Sequence, residues 1–278
     1  MIAAYSFYVK TRNRLFVPSI QRLCIPVLCF IAFALALPYF SDNAPTASEF
    51  DAIPAFVSLV FAFALLFSSQ TVLANKSDNT LAICIALVLV FPSFQTTLLA
   101  SMMAGIWLVV RAGKQHTAMQ QAGVILIAHA FMAFMTFYSL KWFTEPLLAV
   151  DASLVAALLW VTTGTGEAIG NVYFGAADHQ VLMLRNCSSL PAIFSAIACW
   201  IAISRWHGIS VCRREALVIA CLVCLLLILN IARLFSMGLS MSWLDWWHSA
   251  DGEDIYLTLS ALTTLAVIYG GLRFVDKK

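Results

Sequence analysis

The chain has 278 residues, 62% hydrophobic and 11% charged, and its mean hydropathy of +0.90 exceeds what a water-soluble domain carries, which places the protein in a membrane. A net charge of +2 built from 16 Lys and Arg leaves no basic face able to neutralise a run of phosphates, which argues against nucleic acid as a partner. The eight cysteines do not read as a secreted disulfide framework: Cys24, Cys29, Cys84, Cys199, Cys221 and Cys224 fall inside apolar runs and are expected to be small buried hydrophobes.

Nine apolar segments succeed one another, each bounded by charges, Pro, Gly or Asn: Leu23 to Phe40, Ile53 to Leu73, Leu81 to Phe94, Thr96 to Val110, Gly123 to Leu140, Leu147 to Thr163, Cys187 to Ile203, Ala216 to Met237, and Ile255 to Leu272. Most can cross the roughly 30 Å hydrocarbon layer as helices. The third and fourth are short and meet at Phe91-Pro92-Ser93, and read as two tilted spans. The first follows 22 residues that include Lys10, Arg12, Arg14 and Arg22, a charged region too long for a cleaved signal, so it reads as an anchor. No segment repeats at a fixed period and no Gly/Ser linker divides the chain, so residues 1–278 are expected to form one polytopic membrane domain.

Lys and Arg near span ends stay on the cytoplasmic side, which sets the N-terminus, the Arg205 to Arg214 loop and the Arg273 to Lys278 tail inside. Seven segments separate the first two of these sites where an even number of crossings is needed. Leu147 to Thr163 is the odd member: it is short, follows Glu145-Pro146, carries Asp151 and ends in a polar run, all features of an interfacial or re-entrant helix. The expected fold is therefore all-α and integral to the membrane, with about eight transmembrane helices, one interfacial or re-entrant helix and both termini cytoplasmic. This choice leaves 13 basic residues inside and only Lys141 and Arg185 outside.

Two extracytoplasmic stretches then hold most of the polar chemistry, Lys141 to Asn186 and Gly238 to Asp254. In the first, Asn171 to Phe174 and His179 to Met183 are β-prone runs around Gly175-Ala176-Ala177-Asp178, a small hairpin. It leads to Cys187, expected at the water-side N-terminus of a helix, where free amides and nearby Arg185 favour a thiolate; Asn186 and Ser188 flank it. Arg233 is the basic residue inside an apolar segment, near the outer end of its helix, and Asn230 lies one turn before it on the same face. His248 follows in a Trp-rich outer loop, with Asp245 or Asp251 available to orient its imidazole. Other features read blandly: Cys221-x-x-Cys224 as mid-helix packing, Gly164 to Gly170 as no dinucleotide fingerprint because no strand precedes it, and His129 as a hydrogen-bonded packing residue.

Cys187, Arg233 and His248 lie at the outer ends of three consecutive elements, which antiparallel neighbours bring together as a nucleophile, a cation and a titratable base. With Cys187-Ser188-Ser189-Leu190 at a helix start, Asn230-x-x-Arg233 near the end of the next and His248 beyond, the sequence resembles the exosortase/archaeosortase family of polytopic membrane cysteine transpeptidases. The Gly-rich hairpin and Phe143-Thr144-Glu145-Pro146 add to the resemblance, which covers roughly Gly123 to Leu272, a catalytic core of about 123–272. Many members carry Cys-Ser-Gly where this chain has Cys187-Ser188-Ser189.

The resemblance implies that Cys187 attacks a carbonyl in a C-terminal sorting signal, Arg233 stabilises the oxyanion or thiolate, and His248 protonates the leaving amine, with no metal or organic cofactor. Asn230, Asp245, Asn186 and Ser188 are the supporting residues. Its partners are exported proteins ending in a short motif, an apolar span and a basic tail, met at the outer face of a cell (inner or plasma) membrane, and a lipid- or glycan-linked acceptor. The rival reading is a transporter or polysaccharide-assembly component without covalent catalysis, in which Arg233 and His248 bind an anionic headgroup.

Overall fold

A computed structural model describes residues 19–36, 52–91, 93–113, 117–176 and 179–276; Asn186 is described in its backbone only. The basic N-terminus, Lys114, Ala177, Asp178 and the last two lysines lie outside the described residues. The elements are α1 (Ile20–Ala36), α2 (Ala52–Ser68), α3 (Lys76–Val88), α4 (Phe94–Ala112), α5 (Thr117–Trp142), α6 (Thr144–Thr163), β1 (Glu167–Ile169), β2 (Val172–Phe174), β3 (Gln180–Leu182), α7 (Leu190–Trp206), α8 (Arg213–Leu239), α9 (Met241–Trp247) and α10 (Ala250–Asp276). Among the described residues, five helices (α4, α5, α6, α8 and α10) are long and apolar enough to cross a membrane, and α1, α2 and α7 are shorter apolar helices. This is a multi-pass membrane protein by length and composition.

The segment expected to stay out of the count is one of the five. α6 is a continuous helix of 20 residues whose first turn includes Glu145 and Pro146, both at home among amides that have no helical acceptor. The shortest hydrophobic piece is instead α3, at 13 residues, about 20 Å of rise.

Two compact units divide the chain within α5, at Phe131 and Met132. In the first, the consecutive helices α3 and α4 pack against each other. Ser93 caps α4 by accepting from the Thr96 N–H, and Asn75 caps α3 by accepting from the Asp78 N–H. Asp78, buried at the start of α3, accepts from the Trp107 indole at 2.9 Å and pairs with Arg111 at 2.9 Å, so this end of α3 meets the end of α4. Arg111 also donates to Leu73 O, and the Ile20 N–H donates to Val72 O, so α1 starts at this same end. Arg22, Lys76 and Arg111 thereby gather at one end of the unit.

In the second unit, Leu148, Ala152, Val155, Ala156 and Leu159 form the buried stripe of α6. The stripe packs with Tyr173, Val181 and Met183 of the sheet segment and with Leu234 and Met237 of α8. The expected hairpin is present as β2 and β3, with Tyr173 opposite Val181, and Gly164 to Gly170 supplies a third strand, β1, antiparallel to β2. Gly164 ends α6 in the left-handed region at φ 74°, and Gly170, at φ 61°, turns β1 into β2. Gly175 is needed for contact: a Cβ there would collide with the Gly238 carbonyl oxygen and come within 2.7 Å of His179 Cε1.

A second cluster joins Ile193, Ile197 and Trp200 of α7 to Val218, Leu222 and Leu226 of α8 and Ile268 of α10. α7 and α8 are antiparallel, with Arg205 at the end of one paired to Glu215 at the start of the other, both buried. Of the six cysteines expected to be buried, Cys24 is; Cys199 is half-buried, and Cys29, Cys84, Cys221 and Cys224 sit on exposed helix faces. The correction has a simple cause: a helix surrounded by lipid is apolar on every side, so hydrophobicity does not report which side faces protein. His129 is buried within α5.

Burial raises the Asp78 carboxyl, but the Asn75 and Trp107 N–H groups and the Arg111 charge outweigh it and hold it below the usual carboxylate value. A carboxyl depressed in the folded state contributes stability above its unfolded value near 4, and loses that contribution as pH falls through the folded value. In detergent, the melting temperature of the native protein should therefore fall on acidification below about pH 4. Asp78→Asn should melt lower at pH 7 and show a flatter acid limb; an unchanged pH profile would remove Asp78 from the account.

Candidate functional site

Pro191 dictates where α7 begins, because a proline is tolerated only in a helix's first turn. The helix accordingly starts at Leu190, and Cys187 ends a separate 3-10 turn, Arg185–Cys187, closed by Cys187 N–H to Leu184 O at 2.9 Å. Cys187 thus stands outside α7 rather than on its first turn, and it is 4% exposed, within the cluster of α6, the sheet and α8. Both the helix-terminal position and the water access expected for it are corrected. Ser188, also buried, accepts from the Leu190 N–H through its hydroxyl at 3.3 Å and so helps start α7.

The turn is held at two backbone points by two different helices. From α8, Asn230 Nδ2 donates to the Cys187 carbonyl at 2.9 Å. From α6, the carboxylate of Asp151 accepts from the Ser189 N–H. Asp151 and Asn230 are buried.

One turn beyond Asn230, Arg233 is 8% exposed and has no carboxylate within ion-pairing distance among the described residues. Aromatic faces surround it instead: its guanidinium lies 4.4 Å from the Tyr256 ring centroid and 5.8 Å from that of Trp247. Trp247 is fixed in turn by donating its indole N–H to Ser236 Oγ at 2.6 Å. Arg233 and Cys187 both act electrostatically on the same two phenols, Tyr173 and Tyr256. Tyr173 donates its hydroxyl to Leu234 O at 2.6 Å, and burial pushes that phenol well above its ordinary value.

His248 is not brought to this group. It caps the C-terminus of α9, exposed, with its Nδ1–H donating to Leu244 O at 2.8 Å. The Leu244 carbonyl, which also accepts from the His248 backbone N–H at 3.2 Å, orients the ring in place of Asp245 or Asp251, both of which are exposed. The short helix thus turns Trp247 toward Arg233 and His248 toward solvent. Asn186 contributes backbone to the 3-10 turn.

Residues the sequence did not single out complete the neighbourhood. Asp151 carried a signal, an acidic side chain in an apolar stretch, which is a functional pointer as readily as a topological one. Tyr173, Trp247 and Tyr256 carried none, because aromatic residues at these spacings are common everywhere in the chain. His179 bridges the sheet to α8, its Nδ1 against Ala176 O at 2.7 Å and its Nε2 against Met237 O at 2.9 Å.

No family model matches the chain, and neither the curated proteins nor the solved structures searched contain a match.

A buried charge with no counter-charge opposes folding, so Arg233 is a candidate for a residue kept at the expense of stability. Arg233→Met keeps much of the stem and removes the charge. Its melting temperature in detergent should equal or exceed that of the native protein, a gain of up to about 1 kcal/mol. A loss larger than the ~1 kcal/mol of an aromatic contact would make Arg233 a structural residue.

Proposed function

We propose that the chain is a membrane cysteine transpeptidase or peptidase that processes the C-terminal sorting signals of exported proteins on the extracytoplasmic side. The observation that carries this reading is Arg233: a buried guanidinium without a carboxylate, one turn from the residue that holds the Cys187 backbone. An unneutralised cation on the helix face that holds the Cys187 backbone suits a reaction that develops negative charge there.

In the proposed reaction the Cys187 thiolate attacks the scissile carbonyl carbon, a C–S bond forms, and the carbonyl π pair moves to oxygen, where Arg233 faces it. Collapse of that oxyanion breaks the C–N bond, and the leaving amine takes its proton from His248, whose exposed ring has to swing in from the solvent side of α9 to bring Nε2 there. The resulting thioester is resolved by an acceptor nucleophile, giving transfer to a surface anchor, or by water, giving proteolysis.

The proposed orientation follows the charges. Arg205, Arg213, Arg214 and Arg273 lie at the end of the second unit away from Cys187, separated from it by the 17 residues of α7, about 25 Å. Placing this end in the cytoplasm puts Cys187 and the sheet outside. A cysteine introduced at exposed Glu167 should react with a membrane-impermeant maleimide on intact cells. Reaction only after the membrane is opened would reverse the orientation.

The activity itself is tested with a secreted protein from the same source that ends in a short motif, an apolar span and basic residues, followed by immunoblot. Cys187→Ala should abolish cleavage while the enzyme still accumulates. Arg233→Lys should lose at least about a hundredfold, since a point charge cannot reproduce the planar fork of donors. Normal processing by Cys187→Ala would leave a binding or transport role for Arg233 and end the transpeptidase reading.

A further inference from the structure

The α8 face that meets Cys187 carries two buried polar atoms with no hydrogen-bond partner among the described residues, Asn230 Oδ1 and Arg233 Nε. Leaving either unmet opposes folding, and the two are one helical turn apart on a face of the same helix. The amide orientation of Asn230 is set by chemistry: the atom facing the Cys187 carbonyl has to be the donor, so Nδ2 points there and Oδ1 points elsewhere. Because Nδ2 is engaged and the residue is 0% exposed, the side chain cannot swing to find Oδ1 another partner.

An unmet acceptor next to an unmet donor is what one edge of an extended peptide complements, since its main chain offers an N–H and a C=O in alternation. We infer that Asn230 Oδ1 is the acceptor for a main-chain N–H of the substrate segment whose carbonyl faces Arg233, so that α8 reads peptide backbone beside the nucleophile. The inference rests on the transpeptidase reading and extends it: Asn230 positions the nucleophile through Nδ2 and binds substrate through Oδ1. Recognition of this kind is blind to side chains. It selects for an extended, unpaired stretch of polypeptide, and it rejects a proline at the residue whose N–H is needed, because proline has no amide proton.

The test needs no knowledge of the natural substrate. N-methyl-2-iodoacetamide and methyl 2-iodoacetate are nearly isosteric alkylating agents, each with a carbonyl, and only the first has an N–H. Their rates at Cys187 are measured by peptide mass spectrometry in the full-length protein in detergent, and each is divided by the rate at Cys212 of the same molecule. Cys187 should prefer the amide about five- to tenfold more than Cys212 does, the effect of one hydrogen bond, and Asn230→Ala should abolish the preference. Equal preference at the two cysteines in the native protein overturns the inference whether or not the variant folds, and leaves the thiol reading standing. A preference that survives Asn230→Ala also overturns it, because another acceptor is then responsible. Cys187 inert to both reagents while Cys212 reacts overturns the transpeptidase reading and the inference together.

Discussion

The bond from Asn230 Nδ2 to the Cys187 carbonyl is the interaction on which the arrangement of the second unit turns. Proline at 191 has no N–H to offer the carbonyl four residues before it, so the Cys187 carbonyl has no helical donor. A side chain from the neighbouring helix supplies the missing donor. Asp151 does the complementary service for the Ser189 amide from the other side. The chain can therefore leave regular structure in a buried place because side chains of α6 and α8 meet its backbone.

From that constraint the rest of the site follows. With the turn fixed to α8 at Asn230, Arg233 is carried one turn further along the same face, and Tyr173 donates to Leu234 O just beyond it. The aromatic rings of Tyr256 and Trp247 then close over the guanidinium. This surrounding attracts the cation without neutralising it, since a ring face offers a quadrupole and no formal charge. The charge remains available to whatever anion develops nearby.

How much of this was legible beforehand depended on the kind of signal. The helices were, because apolar runs broken by charges and prolines leave few alternatives, and so was the β2–β3 hairpin. The meeting of the Cys187 backbone with Asn230 was readable from antiparallel order alone. The faces of the helices were not: Cys221 and Cys224 point away from protein, and nothing in a uniformly apolar helix distinguishes lipid from core. His248 could not be placed because a seven-residue helix, α9, decides whether it or Trp247 turns toward Arg233. The role of α6 was hidden behind Asp151, which reads as a reason to keep a segment out of the membrane until its Ser189 partner is known.

The α7–α8 pair is tied at both extremities, by Asn230 to Cys187 at one and by Arg205 to Glu215 at the other. Sliding one helix past the other by a single turn, about 5.4 Å, would break both ties at once. The two helices therefore behave as a ruler of fixed length, with the thiol at one graduation and the basic cluster at the other. A bilayer that thickens or thins cannot stretch that ruler; it can only tilt it or bury and uncover its ends. The height of the Cys187 turn relative to the headgroups then depends on lipid acyl length as much as on sequence.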